Sequence, residues 1–214
     1  MLTNQEYILR IVSTFSVLFP IIFGFFFRKR MPTWARWFLL YLVFGFLVDL
    51  GGWLFYKIQN PDASWVNRYI YELVESMFFV WLVRYITNQK TIRKICNFLF
   101  PLFGLMWIIS TLSTEYIGFF RTIVGVIVAF LSGFLLLELV EAKKSKGFPI
   151  IFWIILGVFF YNFCTFFIMA LINTEAGLKV WWIQNSINIT TNVIFGVGFW
   201  VGVNENQKHE MSEE

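Results

Sequence analysis

The sequence predicts an all-α integral membrane protein of seven transmembrane helices, with its N-terminus outside the cell and its C-terminus inside. Of its 214 residues, 58% are hydrophobic and only 14% are charged, against roughly one quarter charged in a soluble globular domain. The apolar residues form blocks of about twenty, the length of helix that crosses a hydrocarbon core of about 30 Å. Lipid is therefore the expected solvent for most of the chain.

Seven apolar blocks define the predicted spans. The third block is the most polar, because it contains Glu72 and Glu75, and the fourth is short and contains Pro101. The first residues lack the basic segment and cleavage site of a secretory signal, so we expect the first block to remain as a helix. The predicted spans cover residues 8–27, 35–57, 68–88, 95–113, 117–141, 149–172 and 180–203, followed by a polar cytoplasmic tail at 204–214.

The distribution of lysine and arginine predicts the orientation of these spans. Basic loops are retained on the cytoplasmic side of a membrane, and twelve of the seventeen Lys and Arg residues follow spans one, three and five or lie in the tail. This alternation predicts an outside N-terminus and an inside C-terminus. The three loop clusters are Arg28, Lys29, Arg30 and Arg36, then Arg84, Lys90, Arg93 and Lys94, then Lys143, Lys144 and Lys146.

The composition argues against several classes of function. A formal charge of +4 that is spread over loops does not form a nucleic-acid interface, so we expect no nucleic-acid partner. Cys96 and Cys164 lie apart in apolar segments and His209 is the only histidine, so we expect no metal site and no cofactor. A short, cysteine-poor, multi-span chain is typical of a bacterial inner membrane, where we expect the lipid bilayer as a partner and a homo-oligomer or another membrane protein as alternatives.

Ionisable and amide side chains inside the predicted spans indicate a candidate site. A charged group in hydrocarbon costs several kcal/mol unless it meets a partner or water. With the predicted orientation, these side chains converge on a cavity that opens to the outside. Arg121 is the candidate ion-pair partner, although an arginine at this depth usually extends its charge toward water. The predicted binding residues are Asp49, Glu72, Glu75, Asn162, Asn185 and Asn188.

Each of these residues also has a purely structural explanation. Stripes of Asn and Gln commonly join helices by hydrogen bonds, and for Glu72, Gln184 and Asn192 this explanation has the same weight as a functional one. For Asp49 and Glu75 a functional role is favoured. Both lie nearer the centre of the membrane, where an acid needs a partner, a bound proton or a hydrated cavity.

An internal repeat is indicated when the chain is shifted against itself by 113 residues. The shift superposes half-repeats 8–88 and 117–203 in the same direction, with span four (95–113) as a linker. Three polar positions then coincide, namely Asp49 with Asn162, Glu72 with Asn185, and Glu75 with Asn188. This plan is similar to the three-plus-one-plus-three architecture of the SWEET and PQ-loop transporters. The resemblance implies substrate binding between the halves, but the chain lacks the Pro-Gln dipeptide and hinge prolines of that family.

Three functions are consistent with this pattern. The first is a protein that binds or transports a small polar or cationic solute in the outward-facing cavity, where carboxylates and amides would hold it. The second is an intramembrane enzyme that acts on a lipid, with Asp49 and Glu75 as an acid and base pair. The third is a non-catalytic membrane subunit or sensor. No nucleophile motif or metal-ligand set accompanies the two acids in the sequence, so binding or transport is favoured over catalysis.

Overall fold

The chain is a helical, multi-pass membrane protein. The computed structural model describes residues 4–112, 114–141, 149–171 and 177–213, and these residues form helices joined by short connections. Five stretches are long and apolar enough to cross a membrane: Tyr7–Arg30, Thr33–Phe55, Lys90–Ser110, Phe119–Glu141 and Ile150–Ile168. The helices are α1 (Asn4–Ser16), α2 (Leu18–Phe27), α3 (Thr33–Lys57), α4 (Pro61–Ile86), α5 (Lys90–Ser110), α6 (Thr114–Glu141), α7 (Ile150–Leu171) and α8 (Gly177–Glu213), with a 3₁₀ turn at Arg28–Arg30 after α2.

α4 and α8 differ most from the predicted spans at their ends. α4 begins at Pro61 rather than at 68, because the Asn60 side chain accepts a hydrogen bond from the Ala63 amide at 3.0 Å and caps the helix. α8 continues to Glu213, so most of the predicted tail at 204–214 is helical. The basic cluster predicted in the loop after span five lies within 142–148, outside the described residues.

A break at Val17 divides the first predicted span into α1 and α2. Pro20 has no amide hydrogen, so it cannot donate to the Ser16 carbonyl, and its ring crowds the preceding turn. The Ser16 hydroxyl instead donates to the Ser13 carbonyl at 2.6 Å. The break therefore lies beside two hydroxyl groups that contact α8, as described below.

The helices form a ring in chain order. Each helix packs against the next, and α8 closes the ring against α1 and α2. α4 also packs against α6, which leaves α5 at the periphery beside these two helices. One end of the ring carries Arg28–Arg30 and the connection between α4 and α5, and is called the basic end here. The end at which α1 begins is called the N-terminal end.

The half of the ring toward the basic end is filled by an apolar core. Phe38 is fully buried between the Phe195 and Phe199 rings, with ring centroids 4.8 Å and 6.2 Å away. Ile154 of α7 and Leu82 of α4 are also fully buried at this level. Apolar side chains therefore fill the ring toward the basic end.

Two glycines allow α7 and α8 to approach closely. A Cβ atom on Gly157 would lie 2.4 Å from the Phe195 ring, and one on Gly198 would lie 2.5 Å from Cβ of Trp153. Small residues are the usual solution where membrane helices pack at short range. This contact holds the aromatic residues of α8 in the core.

A carboxylate on α6 holds the connection between α4 and α5. Glu138 accepts a hydrogen bond from the Thr87 hydroxyl at 2.9 Å and one from the Asn88 amide at 3.0 Å. The Thr87 carbonyl in turn accepts from Arg93 at 3.0 Å. Glu138 thus joins the end of α6 to the connection between α4 and α5 at the basic end.

The apolar core predicts a test of stability. Phe38→Ala should lower the free energy of unfolding in detergent by about 3–5 kcal/mol, because the truncation leaves a cavity among fixed neighbours. Phe130→Ala is the matched control, since this ring is 77% exposed on the outer face of the helix ring and should change stability by less than about 1 kcal/mol. Equal losses in the two variants would contradict the described core.

Candidate functional site

Two adjoining polar cavities lie above the apolar core, between the middle of the ring and the N-terminal end. The first, between α4, α6 and α7, has a volume of about 40 Å³. The second, between α1, the break at Val17, α3, α4, α7 and α8, has a volume of about 90 Å³. One water needs roughly 10–15 Å³ of such volume, so each cavity accommodates a few waters or one small polar group. Glu75, Phe79 and Tyr161 line both cavities and separate them.

Glu75 lies at the centre of a hydrogen-bonded group of side chains. Its Oε1 accepts from the Tyr41 hydroxyl of α3 at 3.1 Å and from the Tyr71 hydroxyl, one turn earlier on α4, at 3.5 Å. The two phenol oxygens are 2.9 Å apart. Hydrogen bonds to a charged acceptor are stronger than neutral ones. The tyrosines therefore hold the Glu75 carboxylate on the α3 side of α4.

Glu72 is the most buried of the three predicted carboxylates, at 5% exposure. Its Oε1 accepts from Arg68 Nε at 3.2 Å, four residues earlier on the same helix, while the Arg68 side chain itself is largely exposed. Its Oε2 is buried and has no hydrogen-bond partner among the described residues. Glu72 lines the first cavity, which thus contains an unpartnered acceptor.

Arg121 of α6 faces Glu72 and Glu75 in the first cavity. Tyr161 of α7 lines the same cavity and lies close enough to the guanidinium for the two side chains to interact, as do both glutamates. Among the described residues, the acidic and basic side chains that form an ion pair are Arg68 and Glu72. The Arg121 guanidinium does not come within 4.0 Å of any carboxylate of the described residues. Opposite charges therefore lie on facing sides of a cavity without touching.

Asp49 lies at the edge of the second cavity and is exposed. Arg10 of α1 is near enough for its charge to act on the Asp49 carboxylate. The guanidinium of Arg10 lies 5.5 Å from the centre of the Trp53 ring, one turn beyond Asp49 on α3. The second cavity consequently has a carboxylate near its opening, with an arginine beside it.

The amides of α8 serve mainly to hold helices together. Asn188 donates to the Ser13 hydroxyl at 3.0 Å, and Asn192 donates to the Ser16 hydroxyl at 2.7 Å. Both asparagines still line the second cavity, so their carbonyl oxygens remain near it. Such amide–hydroxyl bonds between helices are a common means of association in membranes. The break between α1 and α2 places the serines where α8 can reach them.

The structure brings five of the six predicted binding residues to the cavities. Asn162 lines the first cavity, although its amide donates to the Val158 carbonyl of its own helix at 2.8 Å. Asn185 does not line either cavity and has a polar contact elsewhere. The residues that line the cavities are Asp49, Glu72, Glu75, Asn162 and Asn188.

Sequence reasoning missed the tyrosine donors and one threonine. Tyr41 and Tyr161 lie well inside their helices, whereas tyrosine in membrane proteins usually lies at the interface. Their position in the middle of a span could have indicated that their hydroxyls have polar partners. Tyr71 precedes Glu75 by four residues, which predicts contact on a helix. Thr191 lines the second cavity with a buried hydroxyl that has no partner among the described residues. No comparable pattern in the sequence identified Thr191.

The chemistry of the cavities is that of polar recognition. The described residues contain no group of three or more His, Cys, Asp or Glu side chains that could hold a metal ion. Carboxylates, phenols, amides and one guanidinium are suited to binding a polar solute through hydrogen bonds and charge.

A scan of protein-family models and searches of curated proteins and of solved structures gave no match to this chain.

The tyrosine group around Glu75 predicts a second test. Tyr41→Phe should lower the free energy of unfolding by about 1–2 kcal/mol, because the carboxylate loses its nearer donor and stays away from water. Tyr85→Phe is the matched control, since this ring is 55% exposed. Chemical denaturation in detergent measures both values. A Tyr41 variant as stable as the control would show that the hydroxyl does not stabilise Glu75.

Proposed function

We propose that the chain is a seven-span membrane protein that binds or transports a small polar or cationic solute in an outward-facing cavity. The observation that carries this proposal is the division of the ring into two halves. The half toward the N-terminal end contains charged and polar side chains around two cavities, whereas the half toward the basic end is a closed apolar core. A polar solute would reach the site from one side only in this conformation.

Seven spans are supported by the position of α4 and α8 in the ring. Both are too polar to be counted as spans from composition alone, but α4 packs between α3 and α5, and α8 packs between α7 and the first span. A helix of 26 residues such as α4 is about 39 Å long, enough to cross about 30 Å of hydrocarbon. Glu72 and Glu75 of α4 and Asn188 and Asn192 of α8 line the cavities, inside the ring.

The orientation follows from the basic end. Positively charged connections favour the cytoplasm, and Arg28–Arg30 and the connection between α4 and α5 lie at that end. The cavities then open toward the outside, with the N-terminus outside and the C-terminus inside. The location in a bacterial inner membrane stays a prediction.

The packing of the ring supports a parallel three-plus-one-plus-three plan. A two-fold axis along the membrane normal would exchange span one with span five and span three with span seven. Under this symmetry, the contact between the first span and α8 is equivalent to the contact between α6 and α4. Both contacts occur in the structure. α5, the proposed linker, lies outside this set at the periphery. Glu75 and Asn188, which the 113-residue shift pairs, both line the second cavity.

The proposed topology predicts which positions react with a membrane-impermeant maleimide in intact cells. In a Cys96→Ser, Cys164→Ser background, Asp62→Cys should be labelled from outside, because Asp62 lies in the first turn of α4 at the N-terminal end and is exposed. Lys29→Cys at the basic end should be labelled only after the cells are lysed. The reverse pattern would invert the proposed orientation.

The proposed function predicts stabilisation by a small solute. A panel of amines, polyols and amino acids should include a compound that stabilises the purified protein, by about 2.7 kcal/mol at a concentration of 100 times its Kd. Glu75→Gln should abolish this effect, because the variant removes the carboxylate common to both cavities. Glu141→Gln, at the exposed end of α6, is the matched control and should respond like the unmodified protein. A response that survives in Glu75→Gln would place the solute elsewhere.

A further inference from the structure

The first cavity separates charges that would ordinarily pair. Glu72 and Glu75 extend from α4, and Arg121 extends from α6, yet the guanidinium comes within 4.0 Å of neither carboxylate. In an environment of low dielectric constant, opposite charges attract strongly at such range. Something in the structure must therefore hold them apart.

Hydrogen bonds to neighbouring side chains hold the glutamate side of the cavity in place. Tyr41 and Tyr71 bind Glu75 on the α3 side of α4, while Arg121 lies beside Tyr161 on the opposite wall. Arg68 binds only one oxygen of Glu72, on the exposed side of the helix. These contacts maintain a gap that is bounded by negative charge on one face and by positive charge on the other.

The second oxygen of Glu72 supplies an independent indication of a ligand. Glu72 is 95% buried, by its exposed fraction of 5%, and its Oε2 has no hydrogen-bond partner among the described residues. A buried acceptor without a donor costs free energy, and more so when it is charged. A donor group that enters the first cavity would remove this cost.

The volume of the site sets the size of its ligand. The two cavities are separated only by the side chains of Glu75, Phe79 and Tyr161. Taken together, the two cavities have a volume of about 130 Å³, close to the roughly 150 Å³ of an engineered cavity that holds benzene. A ligand of about six non-hydrogen atoms matches this space.

We propose that this site binds a small zwitterion of the size of an α-amino acid, whose carboxylate pairs with Arg121 and whose ammonium group pairs with Glu72 and Glu75. The ligand would bridge the two charged faces that the tyrosines hold apart. A guanidinium is suited to bidentate recognition of a carboxylate, and Glu72 Oε2 gains the donor that it lacks. This inference rests on the proposed function and specifies the class of solute.

The test compares zwitterions with their single-charge fragments. Calorimetric titration of the purified protein would use glycine, L-alanine and β-alanine, with ethylamine and propionate as the two fragments of alanine. At least one zwitterion should bind about tenfold or more tighter than either fragment, since each fragment loses one charge-assisted pair. Arg121→Gln should reduce the affinity for that zwitterion to the level of ethylamine and leave ethylamine binding unchanged.

Further variants keep the result interpretable. Retained ethylamine binding in Arg121→Gln would show that the variant is folded. Arg121→Lys should recover part of the affinity for the zwitterion, because it restores the positive charge but not the bidentate geometry of a guanidinium. Arg84→Gln is the matched control on an exposed arginine of α4 and should bind like the unmodified protein. Glu72→Gln should weaken the zwitterion and ethylamine alike.

Two outcomes would overturn the inference and can be told apart. In the first outcome, ethylamine binds as tightly as every zwitterion and Arg121→Gln changes neither affinity. The solute is then a simple cation, so the inference of a zwitterion is wrong and the proposed function stands. If no probe binds and no compound in the wider panel stabilises the protein, the proposed function is wrong as well.

Discussion

The free-energy cost of holding Glu72 and Glu75 away from water shapes the half of the ring that contains them. A carboxylate in that position needs donors from the protein, and each glutamate obtains them from a different source. Glu75 takes phenol hydroxyls from α3 and α4, whereas Glu72 takes one guanidinium from its own helix. The hydrogen bond from Tyr41 to Glu75 therefore both joins α3 to α4 and fixes the position of a carboxylate in the cavities. Arg121 lies across the first cavity from the two glutamates.

The sequence predicted local features well and distant pairings poorly. Apolar blocks of the length of a membrane span located the five stretches that are long and apolar enough to cross a membrane, because length and hydropathy are properties of a single segment. The Arg68–Glu72 pair has a spacing of four residues that is legible in the sequence. By contrast, Asn188 meets Ser13 across 175 positions, and no pattern within either helix specifies that contact. The break at Val17 also depends on Pro20, whose effect on a membrane helix is fixed by its neighbours.

In the proposed function, the apolar core between Phe38, Phe195 and Phe199 would separate the cavities from the basic end. A solute could pass only if these rings separated, and the close contact of α7 with α8 at Gly157 and Gly198 opposes movement between those two helices. Movement of α3 and α4 together, against α7 and α8, would open the core with the Glu75 hydrogen bonds intact.

The contact of Glu138 with the connection between α4 and α5 can form only after α6 has been synthesised. Thr87 and Asn88 bind a carboxylate that lies 51 and 50 residues later in the chain, so their connection leaves the ribosome well before its partner does. Until α6 enters the membrane, the start of α5 has no contact with α6 to fix its position. α5 can pack on α4 before that point, but the connection between these helices gains its contact with Glu138 only when α6 is present.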